Sequence, residues 1–193
     1  MRVFVAGATG VIGRRAVSAL VAAGHDVTAV VRTPAKAELV RSLGATPVEV
    51  SIFDPAALRG AVAGHDAVCN LATHIPPLTR AAEPRSWDEN NRIRTDGSRN
   101  LVDAALAAGA TLIGVNHRDL KTFTIDMTLT AQIAPRVPAD VVLVGESGIR
   151  TRDDIDALGN VGVHAVLVGE HLMRAASPGD ALLALRGGSA GSR

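Results

Sequence analysis

The chain has 193 residues, 47% of them hydrophobic, and a formal net charge of +1. This is enough apolar sequence for one large domain or two small ones, each with a packed core. Arginine is scattered without forming a basic stripe, and no apolar run approaches the roughly 20 residues that span a bilayer, so we expect no nucleic-acid partner and no membrane contact.

Apolar strands and helical stretches alternate along the whole chain. Short strands joined by helical crossovers form a parallel sheet that is covered by helices, so the pattern predicts an α/β fold. Strands are predicted at residues 3–6, 27–31, 47–50, 67–72, 111–115, 141–144 and 165–168, and helices at 14–23, 34–43, 55–62, 87–108, 129–134, 152–158 and 178–185.

A glycine-rich turn follows the first predicted strand directly and opens the first helix. The N–H groups at a helix start have no helical partners, so they can hold a pyrophosphate, and glycines let the backbone approach it closely. The turn therefore predicts a cofactor-binding loop, which consists of Gly7, Thr9, Gly10, Val11, Ile12 and Gly13.

Three later features accompany this loop. Asp54 follows the third predicted strand, Asn70-Leu71-Ala72-Thr73 lies at the end of the fourth, and residues 96–105 read DGSRNLVDAA in the following helix. With these motifs, residues 1–109 resemble the extended and atypical short-chain dehydrogenase/reductase family, the epimerase/dehydratase group. The resemblance implies that the glycine loop binds the pyrophosphate, that Asp54 meets the adenine, and that Leu71 and Ala72 line the ribose path.

Cofactor choice depends on the residue that ends the second strand. An acidic residue there accepts hydrogen bonds from a ribose 2′-hydroxyl, whereas a basic one pairs with a 2′-phosphate. This chain has Arg32 at that position, and Arg14 and Arg15 beyond the glycine loop add positive charge. NADP is therefore favoured over NAD. The alternative is that all three arginines are solvated surface charges.

The catalytic part of this family's pattern is missing. The family uses a Tyr-x-x-x-Lys motif beyond the fifth strand, whose tyrosine exchanges a proton with the substrate. The chain contains no tyrosine. We therefore expect neither an active reductase nor an active epimerase.

The second half carries three blocks of a different kind. They are residues 112–123 (LIGVNHRDLKTF), residues 144–149 (VGESGI) and residues 166–174 (VLVGEHLMR). In order and spacing they resemble indole-3-glycerol phosphate synthase at the sixth, seventh and eighth strands of its barrel. A complete barrel of this type needs about 250 residues and eight strands. Only the last three strand–helix units are recognisable here.

The resemblance to the synthase implies a second set of site residues. Asn116 and Glu146 fall where that enzyme contacts its substrate, and we regard them as remnants because its catalytic lysines lie on the missing strands. No residue is assigned a confident catalytic role, and no metal site is predicted. The phosphate-binding loops, which would hold a phosphorylated small molecule, correspond to Ser147, Gly148, Gly169 and Glu170.

The chain is thus interpreted as a chimera joined at residues 109–111. We predict a Rossmann-like parallel sheet of about seven strands, in the order 3-2-1-4-5-6-7, whose second half is grafted from a (βα)8 barrel. The domains would be residues 1–110, the NAD(P)-binding half, residues 111–186, the partial barrel, and residues 187–193, a flexible tail. The strand face that lined the barrel interior lacks a cover, so we expect a homodimer.

Three functional hypotheses remain open. The chain is a dinucleotide-binding protein that has lost the full activity of both families; or it is an indole-3-glycerol phosphate synthase-type lyase of tryptophan synthesis that needs a missing part; or it is a recombinant chimera without function. A single cysteine, Cys69, and a first strand that begins within three residues of Met1 predict a cytoplasmic location.

Overall fold

The structure is a computed structural model that describes residues 1–80, 82–118 and 124–188. The chain divides into two compact units, Met1–Ala110 and Thr111–Arg193. Within the described ranges, each unit has its own parallel sheet. Lys121 with the end of its sequence block, and most of the predicted flexible tail, lie outside the described residues.

The first unit is a four-stranded parallel sheet with the order β3-β2-β1-β4. Its strands and the helices between them agree in kind and order with the sequence prediction. The strands are β1 (Arg2–Ala6), β2 (Asp26–Val31), β3 (Thr46–Glu49) and β4 (Ala67–Asn70), and the helices are α1 (Val11–Ala22), α2 (Pro34–Ser42) and α3 (Pro55–Val62).

Both faces of this sheet are buried, as expected for parallel strands with helices on either side. On one face, Val5 of β1 packs in a cluster with Val17 of α1 and Val40 of α2. On the other face, Phe4 packs with Leu58 of α3. β1 is therefore the centre of the unit, and the loop that leaves its carboxyl end is held by a rigid support.

The predicted helix at residues 87–108 is present but contains a π-helical turn. It consists of α4 (Asp88–Arg92), the π segment Ile93–Gly97 and α5 (Ser98–Ala107). Within it the Thr95 hydroxyl donates to the carbonyl of Asn91, 3.0 Å away. A hydroxyl that bonds the preceding turn competes with the regular helical ladder, and such turns recur at functional sites.

The second unit is a three-stranded parallel sheet with the order β5-β6-β7. The sequence predicted the strands and helices of this unit, except the short helix that follows its last strand. The strands are β5 (Leu112–Asn116), β6 (Val142–Glu146) and β7 (Ala165–Leu167), and the helices are α6 (Thr128–Ile133), α7 (Arg152–Asn160), α8 (Glu170–Arg174) and α9 (Pro178–Leu185).

Helix α7 starts with a reciprocal cap. The Thr151 hydroxyl accepts from the N–H of Asp154, and the Asp154 carboxylate accepts from the N–H groups of Arg150 and Thr151, both at 2.9 Å. Partial burial raises the pKa of Asp154, but these hydrogen bonds outweigh it and the net pKa is lowered. The cap therefore fixes the loop that leaves β6.

The two faces of the second sheet differ in burial. Ile113 and Leu143 are buried, whereas Leu112 and Leu167 on the opposite face are 59% and 61% exposed. One face of this sheet is therefore uncovered, as the sequence led us to expect.

The prediction of one continuous sheet was wrong, although the α/β class and the seven parallel strands are confirmed. In the described ranges the seven strands belong to two sheets, β3-β2-β1-β4 in the first unit and β5-β6-β7 in the second. β4 has four residues, and the side-chain amide of its last residue, Asn70, donates to the Ser98 hydroxyl. On β5, Gly114 lies beneath the Glu146 side chain.

Candidate functional site

The glycine loop after β1 is pressed against the backbone that follows β4. Gly7 has a φ of +82°, and a Cβ atom there would lie 2.4 Å from the carbonyl carbon of Leu71 and 2.5 Å from the nitrogen of Ala72. The N–H of Leu71 donates to the carbonyl of Ala6 at 2.9 Å. Only glycine can therefore occupy position 7, and the predicted Leu71–Ala72 segment lies directly beside the predicted loop.

The third glycine sets the distance between α1 and the loop. A Cβ atom on Gly13 would lie 2.1 Å from the carbonyl oxygen of Gly7, so helix and loop are in backbone contact. Gly10 is the N-cap residue of α1, and no side chain caps this helix. Val11 and Ile12 beside it are 76% and 67% exposed, and Thr9 is half-buried. The helix start therefore faces open space, as an anion-binding loop requires.

Asp54 has a structural partner that the sequence reasoning did not anticipate. Its Oδ1 atom accepts hydrogen bonds from the N–H groups of Ala56 and Ala57, each at 3.1 Å, and so caps α3. An Asp followed by Pro at the first helical position is the signal that could have shown this. The expected adenine contact of Asp54 stays a prediction.

Arg32 follows the last residue of β2 and is paired. Its Nη1 atom lies 3.1 Å from Oε1 of Glu89 on α4. Arg14 and Arg15 line an open groove along α1, and Arg32 is not among the residues of that groove. Glu89 was missed from the sequence because it lies 57 residues from Arg32.

The second unit places Asn116 and Glu146 side by side. They are register partners at the carboxyl ends of β5 and β6, on the exposed face of the sheet. The Oδ1 atom of Asn116 accepts from the N–H of Arg118 at 3.0 Å, and the Glu146 side chain lies over Gly114. Their carboxamide and carboxylate groups could orient a polar ligand on this face.

The loop after β6 is held from below by a buried histidine. Ser147 and Gly148 both have left-handed backbone conformations, with φ of +70° and +82°. His117 is fully buried, and its Nδ1 atom donates to the Ser147 carbonyl at 2.9 Å, while Nε2 contacts the Thr130 hydroxyl. Because a carbonyl only accepts, Nδ1 carries a proton, and Nε2 shares a hydrogen bond with the Thr130 hydroxyl. His117 was overlooked, and its position directly after β5 was the available signal.

The remaining predicted phosphate residues start α8. Gly169 is its N-cap residue, and the Glu170 carboxylate bonds to the guanidinium of Arg118 and lies 3.0 Å from Nε of Arg174. The hydrogen bond from Arg118, and the charges of Arg118 and Arg174, lower the pKa of Glu170. Arg118 thus connects the end of β5 to the segment after β7, and the cation offsets a carboxylate that would otherwise repel a phosphate.

In the described ranges no group of three metal-ligating side chains is found. Cys69 is half-buried, and burial raises the pKa of its thiol. None of the helices in the part of the chain that the structure describes has the length and hydropathy needed to cross a membrane.

Comparison with known proteins separates the two halves. A family model described as NAD(P)H-binding matches residues 7–118. Among solved structures, UDP-glucose-4-epimerase from Stenotrophomonas maltophila with bound NAD has a TM-score of 0.56 at 21% identity, covering 76% of this chain and 52% of that one. The NAD complex of the Thermus thermophilus epimerase gives 0.56 at 18% identity, covering 76% and 54%. At sequence identities of 21% and 18%, the structural similarity shows the fold and nothing further.

The other match is to indole-3-glycerol phosphate synthase, whose family model matches residues 93–185. Indole-3-glycerol phosphate synthase 2 from Streptomyces coelicolor is 45% identical over 127 residues, which is 64% of this chain and 49% of that enzyme. The Rhodospirillum rubrum enzyme is 53% identical over 76 residues, 39% of this chain and 29% of that enzyme. The chain spans about half or less of the length of these curated relatives.

The two family matches overlap between residues 93 and 118, a stretch that contains the π segment, α5 and β5. The boundary between the two compact units, at Ala110 and Thr111, lies within this overlap. The chain belongs to the NAD(P)H-binding family through its first part, and it is a chimera whose second part resembles indole-3-glycerol phosphate synthase.

Proposed function

We propose that the protein binds NADP in preference to NAD through residues 1–110 and that it lacks the full catalytic activity of both related families. In this proposal residues 111–186 form a separate partial-barrel domain and residues 187–193 a tail. The observation that carries the proposal is the backbone contact of Gly7 with Leu71 and Ala72 beside an uncapped α1. These features form a rigid, open cradle for a pyrophosphate.

The preference for NADP rests on Arg32. A guanidinium after β2 can pair with a 2′-phosphate in a bidentate manner, while the 2′-hydroxyl of NAD gains little from it. The epimerases with similar folds are described with NAD bound. The charge at position 32 is the reason for proposing the phosphorylated cofactor here.

We expect no turnover of either family's substrate, because the groups that would donate the proton are missing. A bound nicotinamide ring would supply hydride transfer, but the chain contains no tyrosine to exchange a proton with a substrate. Asn116 and Glu146 can bind and orient a ligand on the open sheet face. They sit on three strands where a complete barrel uses eight.

A titration with NADPH and NADH tests the binding proposal. The chain has one tryptophan, Trp87, and no tyrosine, so its emission comes from one buried site in the first unit. We expect saturable binding of both nucleotides, tighter for NADPH, and loss of that preference in Arg32→Gln. No binding at millimolar ligand would contradict the proposal.

A second candidate is a lyase of the indole-3-glycerol phosphate synthase type that is completed by another polypeptide. The observation in its favour is the adjacency of Asn116 and Glu146 above the Ser147–Gly148 loop, which would receive a phosphorylated small molecule. Conversion of the anthranilate-derived substrate by the chain together with a polypeptide that supplies the missing strands would establish this lyase. Conversion by the purified chain alone would overturn the first proposal. If neither binding nor turnover is found, the remaining hypothesis is a recombinant chimera without function.

We also propose a cytoplasmic homodimer. Leu112 and Leu167 are exposed on the uncovered face of the second sheet, and burying such side chains between two copies is favourable. Sedimentation analysis should show a dimer that dissociates in a Leu112→Ser/Leu167→Ser variant. A monomer at all concentrations would contradict this proposal.

A further inference from the structure

Glu89 contacts side chains from both sides of the central strand. Its Oε1 atom lies 3.1 Å from Nη1 of Arg32, and its Oε2 atom lies 3.7 Å from Nε2 of His74. Arg32 follows β2, and His74 comes four residues after the end of β4. These three side chains form the Glu89 cluster.

The sheet order gives this cluster its position. β1 lies between β2 and β4, and neighbouring strands are about 4.8 Å apart, so the ends of β2 and β4 are separated by about 10 Å. The glycine loop leaves β1 within that gap. The Glu89 cluster therefore bridges the two strand ends that flank the loop.

The position of Glu89 is fixed by its neighbour in the sequence. Asn90 is 3% exposed, and its side-chain oxygen accepts a hydrogen bond from the N–H of His74 at 3.0 Å. This bond ties the start of α4 to the segment after β4. The backbone from which the Glu89 side chain extends is thus fixed at this position.

We propose that Glu89 is a residue that determines cofactor selectivity, because its carboxylate competes with the 2′-phosphate of NADP for Arg32. This inference rests on the proposed dinucleotide binding. NADP must displace Glu89 from Arg32 and bring a second anion near it, whereas NAD offers only a hydroxyl at that position. The preference for NADP in the natural chain is therefore smaller than Arg32 by itself would produce.

The size of the effect follows from the exposure of the pair. The side chains of Arg32 and Glu89 are 59% and 46% exposed, so solvent screens the interaction and its loss changes an equilibrium by about 1.5-fold to fivefold. Removing the carboxylate should improve NADPH binding by that factor. NADH binding should change by less than about 1.5-fold.

The experiment measures Kd for NADPH and NADH by nicotinamide fluorescence with four full-length variants. They are Glu89→Gln, Arg32→Gln, the double variant, and Glu38→Gln as a control. Glu38 is an exposed acid paired with Arg41 on α2, so its replacement makes the same change in net charge away from the cluster. The expected result is tighter NADPH binding in Glu89→Gln alone, with no such gain when Arg32 is also replaced.

Other outcomes overturn the inference. An equal gain for both nucleotides, an equal gain in Glu38→Gln, or a gain that persists without Arg32 would show a general charge effect. Nucleotide binding that Glu89→Gln leaves unchanged refutes the role of Glu89 and leaves the proposed function intact. No binding to any variant removes the proposed function and this inference together.

Discussion

Replacement of Gly7 by alanine isolates the contact on which the dinucleotide cradle depends. The new Cβ atom would meet the backbone of Leu71 at 2.4 Å, and the residue would also have to keep a φ of +82°. A left-handed conformation costs a residue with a Cβ about 1–2 kcal/mol, and forced displacement of packed atoms costs about 1–3 kcal/mol more. Gly7→Ala should therefore lower the free energy of unfolding of the first unit by about 2–5 kcal/mol.

Gly24→Ala is the matched control for this substitution. Gly24 has a φ of +81°, and a Cβ atom there meets nothing within 4 Å. It carries the conformational cost without the steric one, so its loss should be about 1–2 kcal/mol. Urea unfolding followed by Trp87 fluorescence should place the midpoint of Gly7→Ala about 1 M below that of Gly24→Ala. Equal midpoints would refute the argument that the Leu71 backbone closes on the loop.

Three further substitutions test other parts of the structure. Gly10→Ala should fold like the unsubstituted chain, because its Cβ atom meets only the Gly7 carbonyl at 3.4 Å. It should weaken NADPH binding by about tenfold or more, because the methyl group obstructs the pyrophosphate, and calorimetric titration measures this loss. Thr130→Val should destabilise the second unit by about 1–3 kcal/mol, measured by circular dichroism, because buried His117 loses its Nε2 partner. Asp154 has a lowered pKa in the folded chain, so its stabilisation is present above the unfolded pKa of about 3.9 and is lost as the pH falls through the lower folded value. The urea midpoint of Asp154→Asn should therefore fall less than that of the unsubstituted chain between about pH 5 and pH 2.

Much of the fold could be predicted because the hydrophobic periodicity agrees with the capping, glycine and proline signals at the ends of the elements. α9 begins and ends where the sequence predicts, since Ser177 caps it and Pro178 opens it. The π segment at Ile93–Gly97 was not predictable, because a helical pattern does not show where one residue is added to a turn. The division of the strands into two sheets was also not predictable, because the residues of a strand do not specify which neighbour it pairs with.

The sequence predicted which backbone segments of the candidate site lie together, but it did not predict the ion-pair partners of the charged residues. The glycine loop and the Leu71–Ala72 segment are adjacent in space because glycine spacing directly reflects backbone contact. The partners of Arg32 and Glu170 could not be predicted, because Glu89 and Arg118 are each more than 50 residues away from them in the sequence. Charge on a residue indicates that it can form a pair, but only the fold determines with which residue.

The overlap of the two family matches has an evolutionary consequence. Helix α5 lies within this overlap, and its buried residues are Leu101, Ala104 and Ala105, which are small or medium-sized apolar side chains. Cores accept apolar residues of suitable volume more readily than they accept polar or bulky replacements. A crossover between two genes at or just after such a helix would therefore leave the packing of the first unit largely undisturbed.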